Sequence, residues 1–88
     1  MSKLKYRNVV PLIYLPQGVE GTILSIEAGM GLVNRLYSMN IRPGKKVRRV
    51  SEFTGGPVAV RVGETLYGIG KGMAAKIMVG YDEIDEES

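Results

Sequence analysis

The chain has 88 residues, 44% of them apolar, with 12 glycines, 4 prolines and neither cysteine nor histidine. That length suits one small domain and excludes a second, and the missing residue types remove disulfides, thiolate and imidazole metal ligands and the commonest general base. The formal charge of +3 is unevenly spread: Asp82, Glu83, Asp85, Glu86 and Glu87 hold five of the nine acids, so residues 1–81 set twelve bases against four acids.

Residues 1–8 are polar and basic without periodicity, and are expected to form a flexible terminus or a loosely held edge strand. Val9 to Leu15 is apolar and extended. Pro11 and Pro16 keep it out of a sheet interior, so Leu12 and Leu15 are placed as anchors across one end of the fold. The same prolines interrupt what would otherwise resemble a secretory signal, and no small-residue cleavage site follows. No stretch approaches the roughly 18 to 20 apolar residues of a membrane span, and the expectation is a cytoplasmic protein.

Val19 to Ile26 reads as the first long strand. Its core candidates, Ile23 and Ile26, are three apart, which breaks strict alternation and implies a bulge, and Gly21 lets the strand bend. Ala28 to Gly31 is a glycine-rich connector that lacks the lysine and hydroxyl residue of a phosphate loop. Leu32, Val33, Leu36 and Met39 then recur at helical spacing, predicting a helix over Leu32 to Met39. Asn40 stands where the helix needs a left-handed residue, and Pro43 with Gly44 completes the reversal.

Lys45 to Phe53 is the second predicted strand, with Val47 and Val50 inward and Arg48 and Arg49 at or near the surface. Thr54 to Pro57 is a turn cluster. Val58, Val60 and Val62 alternate cleanly, and Gly63-Glu64 suits a type II′ hairpin into Thr65 to Ile69, where Tyr67 and Ile69 share the core face. Gly70 to Ala75 makes one helical turn over Met73 and Ala74. Ile77 and Val79 close the sheet as a last short strand, residues 9–81 form the domain, and residues 82–88 are expected to be a disordered acidic tail. The fold class read from this order is all-β: a small SH3-like barrel of about five strands, with one short inserted α-helix and a one-turn helix before the last strand.

In this order the residues resemble the FeoA family, ferrous iron transport protein A, whose domain also closes iron- and manganese-dependent repressors. The resemblance spans Leu12 to Val79. It rests on Leu15, Gly18, Gly21, Ile23, Ile26, Arg35-Leu36, Met39, Pro43-Gly44, Val47, Gly56-Pro57-Val58, Ile69, Ala74, Ile77 and Val79. The family usually has glycine where this chain has Asn40, a change the left-handed cap explains. It also commonly has arginine and glutamate where this chain has Gly70 and Met73, so the metal-reaching carboxylates of repressor-linked versions are not carried over. The resemblance implies a non-catalytic accessory of ferrous iron uptake that docks on the cytoplasmic side of the membrane permease FeoB and modulates it.

The candidate docking residues are Arg35, Arg42, Lys45, Lys46, Arg48 and Arg49, the last five lying within eight positions. Neighbouring side chains of a strand point to opposite faces, so they cannot form one flat row, and a merely solvated basic face is the plainer reading. Together with Phe53, Tyr14 and Tyr37 they also permit a different class of function, a small basic barrel binding RNA or single-stranded DNA by stacking bases on aromatic rings. Met30 and Met39 read as core filler and Arg35 as a stem covering apolar surface. No metal site or cofactor is expected, since a flexible acidic tail fixes no geometry. Glu20, Glu27, Glu52 and Glu64 form no recognisable acid-base pair, so no enzyme is expected. An exposed sheet edge leaves weak self-association open.

Overall fold

Alternating β-branched residues and sharp glycine turns build the sheet. In the computed structural model, which describes residues 4–50 and 56–85, six strands form one antiparallel sheet: β1 (Leu4–Pro11), β2 (Glu20–Ile26), β3 (Lys46–Arg49), β4 (Val58–Val62), β5 (Thr65–Ile69) and β6 (Ile77–Asp85). Their spatial order is β1-β6-β2-β3-β4-β5, so the last strand lies between the first two. A 3-10 turn (Leu12–Tyr14) follows β1, helix α1 (Met30–Ser38) links β2 to β3, and the one-turn α2 (Lys71–Ala74) precedes β6.

The inward side chains form one core. Leu12, Leu15, Ile23, Leu36, Ile41, Val47, Val60, Ile69, Ile77 and Val79 are fully buried or nearly so. At roughly 1.5–3 kcal/mol for each aliphatic side chain removed from water, this cluster is the main favourable term for so short a chain. Leu12 and Leu15, in and just after the 3-10 turn that follows β1, belong to this core.

The three-residue spacing in β2 has the consequence expected of it. Ile23 pairs with Val79 but Ser25 with Met78, so Leu24 is the extra residue of a bulge. Gly21 serves a different purpose from bending. A Cβ there would meet Val79 Cγ1 and come within 2.9 Å of the Gly80 carbonyl oxygen, so glycine is what lets β2 and β6 pack this closely.

Helix α1 ends as its sequence requires. Asn40 has φ of +63°. The Ile41 N–H donates to the Leu36 carbonyl at 2.9 Å and the Asn40 N–H to that of Tyr37 at 2.9 Å. These are the two bonds of a Schellman motif, and Leu36 and Ile41, the residues it brings together, are both buried in the core. At the β4–β5 turn Val62 pairs with Thr65 across Gly63-Glu64, and Gly63 has φ of +61°, as a type II′ turn asks.

Three expectations change. The sheet has six strands rather than about five, because residues 82–85 extend β6 instead of forming a disordered tail, and residues 4–8 take the edge-strand alternative rather than the flexible one. Tyr6 pairs with Glu83, Asn8 with Tyr81, and Lys5 with Ile84. The cause is mutual: opposite charges at the two ends, including Arg7 and Asp82 at 3.5 Å, favour a ladder that neither segment could form alone. The predicted strand over Lys45 to Phe53 is shorter, Lys46–Arg49, and Arg49 is buried at 5% exposure. Alternation explains this, since Arg49 shares the face of Val47. Glu52, Phe53 and the first part of the expected turn cluster, Thr54 and Gly55, lie outside the described residues, as do residues 1–3 and 86–88.

Candidate docking surface

The basic candidates divide by element. Lys46 and Arg48 are exposed on the outer face of β3, two residues apart and therefore on one side. Arg42 and Lys45 belong to the turn before it, where the Lys45 N–H donates to the Arg42 carbonyl at 3.1 Å; Arg42 is exposed and Lys45 half-buried. Arg35 is exposed on the last turn of α1, apart from the strand, where its charge complements the helix C-terminus.

Arg49 faces the other way, and its role is structural. Nη1 donates to the carbonyl oxygens of Ile13 and Leu15, each at 3.0 Å, while its backbone N–H donates to Val19 at 3.0 Å and its carbonyl accepts from Gly18 at 2.6 Å. The guanidinium thus satisfies carbonyls of the 3-10 segment that the β-ladder cannot reach. It is removed from the candidate docking set.

The remaining face is mixed in charge rather than uniformly basic. Lys46 Nζ contacts Glu83 Oε1 at 2.8 Å, and this hydrogen bond, with the carboxylate's charge, raises the lysine pKa above its ordinary 10.5 against the opposing effect of burial. Arg48 Nη1 donates to the Gly18 carbonyl at 2.7 Å, with Nη2 3.8 Å from Glu20. Between these pairs lies a groove of about 210 Å³ lined by Tyr6, Glu20, Thr22, Lys46, Tyr81, Asp82 and Glu83, with Gly21 and Gly80 beside Thr22 in the strands beneath. The Thr22 hydroxyl is buried there without a hydrogen-bond partner.

Tyr6, Glu20, Thr22, Asp82 and Glu83 were not among the sequence candidates. For Tyr6, Asp82 and Glu83 the signal was the opposite charge of the two chain ends, which becomes a shared surface only once β1 and β6 are paired; Glu20 and Thr22, on β2, carried no such signal. Tyr14 and Tyr37 are exposed, at 71% and 44%, but stand on the 3-10 turn and on α1 rather than on β3. Among the described residues no group of three or more acids is arranged to hold a metal ion, and no helix is long and apolar enough to cross a membrane.

Comparison with known proteins agrees with this architecture. The family model for the FeoA domain matches residues 10–80. A Methanocaldococcus jannaschii protein named for Fe(2+) transport, as protein A, is 38% identical over 69 residues, covering 78% of this chain and 83% of that protein. The crystal structure of an iron uptake regulatory protein, FeoA, superimposes with a TM-score of 0.77 at 31% identity, covering 88% of this chain and all of the other. Stenotrophomonas maltophilia FeoA, a prokaryotic SH3 domain protein crystallised with zinc, gives a TM-score of 0.68 at 26% identity, covering 77% and 86% of the two chains. With its six-stranded SH3-like sheet and the family match over most of its length, this chain belongs to the FeoA family of ferrous iron transport accessory proteins.

Proposed function

We propose that this protein is a non-catalytic module that docks on the cytoplasmic side of a FeoB-like membrane permease and modulates it, using the outer face of β3 and the turn before it. The observation that carries this reading is the pairing on that face: Lys46 with Glu83 and Arg48 with Glu20, beside Arg7 with Asp82. Alternating charges of both signs on a rigid sheet give a protein partner orientation and register more than raw affinity. The same pairing weighs against a nucleic-acid groove, because carboxylates interleaved with the cations repel phosphate. It also weighs against catalysis, since these acids are spent on cations rather than set against one another. Stenotrophomonas maltophilia FeoA, proposed to act as a ferrous iron transport activating factor, supports a modulating role.

The test is titration of the purified protein against the cytoplasmic domain of a FeoB-type permease and, separately, against mixed single-stranded RNA, each at two salt concentrations. Saturable permease binding that Lys46→Glu and Arg48→Glu each weaken roughly three- to tenfold is the expected result. Tight, salt-sensitive RNA binding without permease binding overturns the proposal. Arg49→Glu is not a fair probe, because it strikes the core.

A further inference from the structure

The sheet has two edges, and they are built differently. β1 carries exposed Lys5 and Arg7 and ends at Pro11, which are devices that discourage a further strand from adding. β5, Thr65–Ile69, has neither charge nor proline, and its Leu66 is 55% exposed. Among the described strands β5 pairs only with β4.

The hairpin decides which of its groups face outward. Across a two-residue turn the flanking pair, here Val62 and Thr65, exchanges hydrogen bonds, so Thr65, Tyr67 and Ile69 direct theirs to β4. Leu66 and Gly68 therefore present their N–H and C=O groups to the edge. Beside this edge, Pro57, Ala59, Leu66, Tyr67 and Gly68 line a mainly apolar groove of about 140 Å³. Gly68 leaves that groove open, for a Cβ there would lie 3.3 Å from Pro57 Cγ.

We propose that β5 is a self-association edge, and that its occupant is the β5 of a second copy of this chain, antiparallel about a two-fold axis at Tyr67. In that register Leu66 of each copy pairs with Gly68 of the other, so both outward residues of each strand complete their hydrogen bonds. The exposed Leu66 side chain then enters the groove that Gly68 keeps open. The ends are complementary in charge as well. Glu64 falls opposite Gly70 of the second copy, beside its Lys71, and the symmetry makes this contact twice. Both side chains are exposed, and neither has an ion-pair partner among the described residues. Five residues bury less than the roughly 1,200 Å² of the smallest stable interfaces, so the dimer is reversible and concentration-dependent.

Sedimentation velocity of the full chain between about 10 µM and 1 mM tests this. The expected result is a monomer–dimer equilibrium that Leu66→Asp weakens roughly a hundredfold, since apolar burial is lost twice. Glu64→Lys and Lys71→Glu should each weaken it several-fold, and the double variant Glu64→Lys/Lys71→Glu should restore it. These positions are exposed, so circular dichroism should show all four variants folded. A wild-type chain that stays monomeric throughout overturns the proposal. So does a dimer indifferent to Leu66→Asp, or an edge that takes up another protein's strand while the chain alone remains a monomer.

Discussion

The ring of Tyr6 lies across Gly80: a Cβ on Gly80 would sit 2.6 Å from Tyr6 Cγ and 2.7 Å from Cδ2, with Leu24 Cδ1 at 3.1 Å. The first prediction follows from this contact. Gly80→Ala should lower stability by about 1–3 kcal/mol through overpacking, although alanine restricts the unfolded chain more than glycine does. In a Tyr6→Ala background the same change should cost much less, a coupling that a thermal-denaturation double-mutant cycle measures. Gly21→Ala should be harsher and unrescued by Tyr6→Ala, because one of the atoms it meets is the Gly80 backbone oxygen.

Replacing Arg49 tests the buried guanidinium. Arg49→Met should destabilise by about 3 kcal/mol, because the Ile13 and Leu15 carbonyls lose a charged donor in a water-poor site. Arg48→Met, on the exposed side of the same strand, should cost no more than about 1 kcal/mol. Urea midpoints read at unchanged m-value separate the two.

The Lys46–Glu83 pair makes a pH prediction. The lysine pKa is raised in the folded state, so the stabilisation from the pair is fully present below the ordinary value of 10.5 and is lost as pH climbs through the raised one. The stability difference between the wild type and Lys46→Met should be flat from neutral pH to about 10.5 and should vanish above it. It should stay below about 1 kcal/mol and shrink with added salt, as an exposed pair requires.

Asn40 gives a backbone prediction. At φ of +63° a Cβ is tolerated only grudgingly. Asn40→Ala should cost about 1 kcal/mol, whereas Asn40→Gly should be neutral or slightly stabilising, and chemical denaturation distinguishes the two signs.

What the sequence made legible was the local chemistry. The Asn40 cap, the Leu24 bulge, the Gly63 hairpin and the anchors Leu12 and Leu15 depend on residues close in the chain, and propensity or spacing reveals them. Arg49 was misplaced because its charge outweighed its parity with Val47. Nothing nearby announces that the carbonyls of Ile13 and Leu15, more than thirty positions earlier, make its burial affordable. The pairing of residues 4–8 with residues 81–85 was hidden for the same reason: each segment alone is too polar to order itself, and only their juxtaposition forms a ladder. The groove of the candidate docking surface inherits that difficulty, since Tyr6, Asp82 and Glu83 reach Thr22 and Lys46 through it.

The strand order also sets a timetable for the nascent chain. β1 pairs only with β6 among the described strands, and β2 has β6 as one of its two neighbours. During synthesis β1 must therefore wait, unpartnered, while every intervening element is made, and contacts of such long sequence separation close slowly. The final strand works as a keystone: a chain whose translation stalls before Ile77 holds hairpins but no barrel, with Leu12, Ile23 and Leu36 still wanting the cover of Ile77 and Val79.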